Sequence, residues 1–169
     1  MTDSSPAEIH DLARQLTAAD PAVRRAAAER LCRSGPAAAA AALPLVRACG
    51  DADEGVREQA VAALEELGAP PSEALAGLIE AVAAADPLVA YWAITLLGRS
   101  GEAAAAGVTA LARQLAPGTD PAVAQRAAWA LGRIGSAARA AAGALREAAS
   151  SSDPRLARLA QEALSAVGE

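Results

Sequence analysis

Residues able to do covalent or metal chemistry are few in this chain. It holds one histidine and two cysteines in 169 residues, whereas catalysis needs an acid, base or nucleophile held beside a partner. His10 has no second histidine with which to share a metal and reads as a solvated surface side chain. Cys49 falls in an apolar row and reads as core. Cys32 shares its row with Glu65, Gly98, Gly132 and Ser165, so it is expected to be partly exposed, and a reactive thiol is the alternative to a plain surface one. No CxxC or His/Cys cluster marks a metal site, and no cofactor is expected. Gly98, Gly101, Gly132 and Gly135 resemble fragments of a nucleotide-binding fingerprint. They are expected instead to be caps, because they end helices and do not join a strand to a helix. The aromatic side chains are Tyr91, Trp92 and Trp129 alone, and aromatics are enriched where protein surfaces bind.

The elements that carry these residues repeat. Counting from an aspartate as position 0, the zero positions fall at Asp20, Asp53, Asp86, Asp120 and Asp153, at intervals of 33, 33, 34 and 33 residues. Position +3 is Val23, Val56, Val89, Val123 and Leu156; position +7 is always alanine, +11 always leucine, and +15 always glycine, from Gly35 to Gly168. Aspartate accepts from unpaired amides at a helix start, proline suits the first turn, and a glycine just past the end supplies a left-handed cap. Offsets +3, +7 and +11 share one face at 3.6 residues per turn. Each aspartate therefore opens an amphipathic A helix.

A B helix follows each of the first four glycines, marked at +25 by Leu45, Leu78, Leu111 and Leu145. The same arithmetic run backwards from Asp20 places Ile9, Leu12 and Leu16 on the apolar face of a leading B helix. The expected fold is all-α, a right-handed α-solenoid of stacked antiparallel helix pairs with about ten helices and a 33-residue repeat. It spans 1–169 as a single domain: 1–5 disordered, 6–19 a leading half-repeat, 20–152 four A–B repeats and 153–169 a terminal A helix. The extra residue in the fourth interval falls in the turn-rich tip Ala116–Thr119.

The repeat register sorts the polar residues into faces. On the A helices +5 and +9 point away from the core stripe, which places Tyr91 and Trp129 toward solvent on adjacent helices, with Leu88 nearby and Trp92 on the flank. Two readings stand side by side: a partner-binding patch, or rings laid over a thin alanine-built seam. On the B helices the outward +27 row reads Arg14, Arg47, Glu80, Arg113 and Glu147, and the flanking +20 row is largely alanine. Acid gathers around the second A helix (Asp51, Asp53, Glu54, Glu58, Glu65, Glu66) and base on the first (Arg24, Arg25, Arg30, Arg33); surface pairing and partner recognition both account for it. The last A helix has no B helix after it, and Leu159 and Ala163 there are candidates for end-to-end self-association.

Composition narrows the class further. Alanine is nearly a third of the chain and phenylalanine is absent, so thin helices at close spacing replace a thick core. A formal charge of −5 counts against phosphate-backbone binding. All fifteen cations are arginine, a bias read with the alanine as that of a GC-rich genome. The N-terminus MTDSSPAEIH lacks the pattern of a signal peptide, and no run of bulky apolar residues has the length of a membrane span. A cytoplasmic location is expected, with no membrane role.

The pattern D-P-x-V-R-x-x-A-x-x-x-L-x-x-x-G, as in DPAVRRAAAERLCRSG from Asp20 and, without the arginine, DPAVAQRAAWALGRIG from Asp120, resembles the HEAT-repeat superfamily, and within it the short HEAT-like repeats of phycobilisome lyases. The resemblance covers residues 6–168. It implies B helices on a concave face and a scaffold or adaptor that binds another protein, through that groove or through the aromatic patch. It also implies an alternative, a bilin-lyase-like or cofactor-maturation subunit with Cys32 as an attachment point, and a third, nucleic-acid binding, which the charge disfavours. Similar repeats carry arginine at +4, present here as Arg24 and Arg57 but replaced by Ala90, Ala124 and Ala157. A continuous Asp–Arg ladder is therefore not expected in the last three repeats.

Overall fold

The structure is a computed structural model and describes residues 5–169. Of the segment expected to be disordered, Met1 to Ser4 lie outside the described residues, and Ser5 is placed: its side chain accepts from the amide of Glu8 and caps α1 (Pro6–Gln15). The described residues form ten α-helices in the expected B, four A–B, A order, all of the stacked helix-pair class. They group into two compact units, one ending at Ala74 and one spanning Leu75–Glu169.

The first unit holds α1, α2 (Pro21–Ser34), α3 (Ala42–Ala48) and α4 (Glu54–Glu66). Its A helices α2 and α4 begin on Asp20 and Asp53, whose carboxylates accept from the amides of Ala22 and Val56. Such a cap is worth about 1 kcal/mol. Ile9, Leu12 and Leu16 are buried, as the backward count predicts, together with Ala27, Leu31, Leu45, Ala60 and Leu64. Val23 departs from its row at 38% exposed. Gly68 also departs: α4 ends at Glu66, the chain leaves through an extended Leu67, and Gly68 is absent from the positive-φ glycines.

The second unit holds α5 (Leu75–Ala81), α6 (Pro87–Ser100), α7 (Val108–Arg113), α8 (Pro121–Ile134), α9 (Ala142–Ala149) and α10 (Pro154–Val167). Asp86, Asp120 and Asp153 cap α6, α8 and α10. The A helices α6, α8 and α10 pack side by side, with α5, α7 and α9 on their other flank. Three of the B helices, one in the first unit and two in the second, are shorter than a continuous helix would be. Gly35, Gly101 and Gly135 turn with positive φ and ψ near −133° to −142°, a region open essentially to glycine. A seven-residue 3-10 helix begins at each of these glycines and precedes the α-helical part. Alanine suits that segment, since side chains at i and i+3 eclipse in a 3-10 helix and only small ones stack there without crowding.

Candidate functional site

In the first unit the acid and base rows meet. Arg24 sits at +4 of α2 with its side chain 15% exposed; Nε and Nη2 donate to the two carboxylate oxygens of Asp51 at 2.7 and 2.8 Å, and Nη1 to the carbonyls of Ala18 and Ala19. Arg57 repeats half of this, donating from Nη1 to the carbonyls of Asp51 and Ala52. Arg25 pairs with Asp53 at 2.9 Å, Arg30 with Glu8 and Arg33 with Glu29. The Arg24 guanidinium holds the Asp51 carboxyl below its usual range, with the Asp53 amide adding to the effect, and Arg25 does the same for Asp53. All four arginines of α2 are thus engaged within the chain.

The aromatic residues gather on the A helices of the second unit. Trp129 of α8 is half-buried, and its ring lies over Gly98 of α6: a Cβ at Gly98 would stand 2.3 Å from Trp129 Cζ3. Arg126, one turn back on α8, places its guanidinium 4.5 Å from the Tyr91 ring centroid and 4.9 Å from that of Trp129, and Nη2 donates to the Tyr91 hydroxyl. A cation between two rings is held by both π faces. Leu88, in the first turn of α6, is 37% exposed.

Trp92 is only 6% exposed, with its ring edge-on to Tyr91 at 5.8 Å and Arg99 over its face, so it belongs to the packing and not to the surface. Tyr91 and Trp129 are half-buried, not fully solvent-facing. Thr95, in the row expected to face water, is buried and donates to the carbonyl of Tyr91. The cause is at +12. Gly98 and Gly132 lie inside α6 and α8, not at their ends, and let the neighbouring helix come close; at Gly132 a Cβ would be 3.2 Å from Ala163 Cα. Ala163 is accordingly buried, not part of an open end, and Leu159 is half-buried. Gly98 is expected from the sequence only as a cap and Arg126 is not singled out there, although an arginine three residues before the exceptional tryptophan is a readable signal.

Two recesses flank Trp129. One of about 190 Å³ is lined by Tyr91, Ala122, Gln125, Arg126, Arg155 and Leu159; the other, about 270 Å³, lies toward Gly132, Glu162 and Ala166, and Leu159 borders both. The carboxylate of Asp153 takes a hydrogen bond from Gln125 Nε2 at 2.7 Å and from the amides of Arg155 and Leu156, which together hold it below the usual range. The first recess thus presents two arginines and two aromatic rings on a fixed frame.

The +27 row is exposed at every position: Arg14 and Arg47 in the first unit, Glu80, Arg113 and Glu147 in the second. Arg14 pairs with Asp11 on its own helix. His10 is exposed and Cys32 half-buried, and Cys49 is buried with its thiol donating to the carbonyl of Leu45. Among the described residues no group of three or more His, Cys, Asp or Glu side chains is arranged to hold a metal, and no helix is long and apolar enough to cross a membrane.

The likeness to known proteins follows the helix pairs. At 22% identity the chain is similar to a subunit in the CpcE–CpcF complex of phycocyanin lyase from Nostoc sp. PCC7120, covering 95% of this chain and 65% of that one with a TM-score of 0.67. An engineered protein matches at 24% identity over 94% of this chain and 78% of its own, TM-score 0.65. A computationally designed armadillo repeat protein for modular peptide recognition matches at 21%, over 95% and 82%, also at 0.65. At these identities the likeness is one of fold. No protein of curated function shows significant similarity. The HEAT-repeat family model matches residues 9–98 and again 75–165, and with the capped, alanine-seamed helix pairs described above, the chain belongs to the HEAT-repeat family.

Proposed function

We propose that this chain is a non-enzymatic adaptor of the cytoplasm that holds a protein partner against the A-helix face of its second unit. The observation that carries the reading is the Arg126 guanidinium fixed between Tyr91 and Trp129, with a recess on either side of Trp129. Tryptophan, tyrosine and arginine are the residues in which binding energy concentrates, and a side chain already held in place loses little entropy when a partner arrives. Trp129 serves two purposes in this reading: its inner edge fills the space above Gly98 and its outer edge is offered to the partner. The B-helix row of Arg113 and Glu147 is the competing surface.

The test uses residues at the rim, because Trp129 itself supports the fold. Ala122 and Arg155 are exposed and border the recess. The variant Ala122→Glu/Arg155→Glu is expected to keep the wild-type melting temperature and to lose at least tenfold in capture of the partner that wild-type protein retains from its native cell. Arg113→Glu, on the B-helix side, is expected to capture it undiminished. The reverse pattern moves the site to the B helices and sinks the reading.

A further inference from the structure

A further recess lies elsewhere in the second unit, on the edge formed by the turns that enter the A helices. It has a volume of about 430 Å³ and is bordered by the turn Leu115–Thr119, by Ala124 of α8, by Glu147 and Ala148 of α9, and by the turn Ser151–Asp153. Two acidic residues and no basic one line it.

Its position in the repeat is the one that Arg24 fills in the first unit. Arg24 stands at +4; Ala18 and Ala19, whose carbonyls it binds, stand two and one residues before Asp20, and Asp51 stands two residues before the next zero position, Asp53. The matching residues around Ala124 are Gly118 and Thr119 before Asp120, and Ser151 before Asp153. The turn geometry matches as well: Asp51 Oδ1 accepts from the Asp53 amide at 2.8 Å, and Ser151 Oγ from the Asp153 amide at 3.1 Å. Ala124 has no guanidinium to supply, so the carbonyls of Gly118 and Thr119 receive nothing from +4. Serine in place of aspartate removes one carboxylate, but Glu147, exposed on α9, places another at the rim.

We infer that this recess is a binding site for an arginine side chain of a protein partner, which takes the place in trans that Arg24 occupies within the first unit. The planar guanidinium would donate to the Gly118 and Thr119 carbonyls and face Glu147, while its methylene stem lies along Leu115, Ala124 and Leu156. Lysine, a point charge without the planar fork, satisfies that set of acceptors less well. The site is separate from the A-helix face and stands or falls independently of it.

The probe is the peptide acetyl-Ala-Arg-Ala-amide, with its lysine and citrulline counterparts, titrated into the full chain while the amide resonances of Gly118, Thr119 and Ser151 are followed by NMR. The arginine peptide is expected to give saturable shifts with a dissociation constant on the order of millimolar, as suits one side chain. The lysine peptide should bind roughly fivefold more weakly, and the neutral citrulline peptide should not saturate. Ala124→Arg is expected to fill the recess from within, to melt no lower than wild type and to abolish the shifts. Glu147→Gln, at an exposed position, should weaken the arginine peptide about threefold or more. Equal shifts from all three peptides, no shifts at these amides, or shifts undiminished in Ala124→Arg would each overturn the assignment. So would a lower melting temperature for Ala124→Arg, since the equivalence with Arg24 requires that an arginine fit.

Discussion

The two units fasten neighbouring A helices by different means. Between α2 and α4 the cross-links are ionic, Arg24 to Asp51 and Arg25 to Asp53. Between α6 and α8 they are a ring and a cation on rings: Trp129 over Gly98, and Arg126 between Tyr91 and Trp129. Between α8 and α10 the link is a neutral amide on a carboxylate, Gln125 to Asp153, beside the close approach of Gly132 and Ala163. A shared backbone template thus tolerates exchange of the fastening chemistry, and the exchange has a by-product. At Ala124, where alanine stands at +4, a recess opens at the loop edge; at Gly98, where glycine stands at +12, the Trp129 ring lies against the helix.

The largest effect expected in testing this contrast is at the ring. Trp129→Ala should destabilise the second unit by about 2–4 kcal/mol through the void left over Gly98, read as faster amide exchange in α6 and α8 and insensitive to salt. Gly98→Ala should cost about 1–3 kcal/mol in the wild-type background, because its Cβ meets Trp129. In the Trp129→Ala background the same change should stabilise by roughly 0.5–1 kcal/mol, since alanine is the better helix former. A Gly98→Ala effect of the same sign in both backgrounds would show that the ring does not rest on the glycine.

Next in size is the ionic link. Arg24→Ala removes the donor to Asp51 and to two loop carbonyls, and should lower the melting temperature of the first unit by on the order of 5 °C, less at high salt. The same pair sets a pH dependence. The folded-state pKa of Asp51 is depressed, so its contribution is present at pH values above the ordinary carboxylate range, near 3.9, and fades as pH falls through the depressed value. Amide exchange in α2 and α4 should therefore quicken on acidification below about pH 4, while the α6–α8 contact, in which no carboxylate takes part, stays protected. The smallest effect belongs to Arg25→Gln, which copies the Gln125–Asp153 link and, with Arg25 half exposed, should move the melting temperature by about 1 °C or less.

What was legible in the residues was whatever depends on one chain segment alone. The aspartate caps, the apolar stripe at +7 and +11 and the leading helix with Ile9, Leu12 and Leu16 all follow from helical periodicity and local hydrogen bonding, and the structure has them. What depends on a neighbouring repeat was not. The offset of Trp92 points to the flank on an isolated helix, yet Tyr91 and Arg99 lie against its ring and it is buried. Gly98 and Gly132 have the spacing of helix ends and so suggest caps, whereas their use is the clearance they give to Trp129 and Ala163. Gly68, in the cap position by count, has no left-handed turn to make, because α4 gives way to an extended Leu67. The recess at Ala124 was visible only as a missing arginine, and a missing side chain does not declare whether its place is filled or open.

The seat of Trp129 on Gly98 also decides where this chain can be cut and recombined. The sequence invites a cassette running from one aspartate to the next glycine, but such a cassette would carry the tryptophan away and leave the glycine behind. An exchange of repeats that keeps this interface must move the second half of α6 together with the first two-thirds of α8, so at this point of the chain the unit to be exchanged is the junction and not the helix pair.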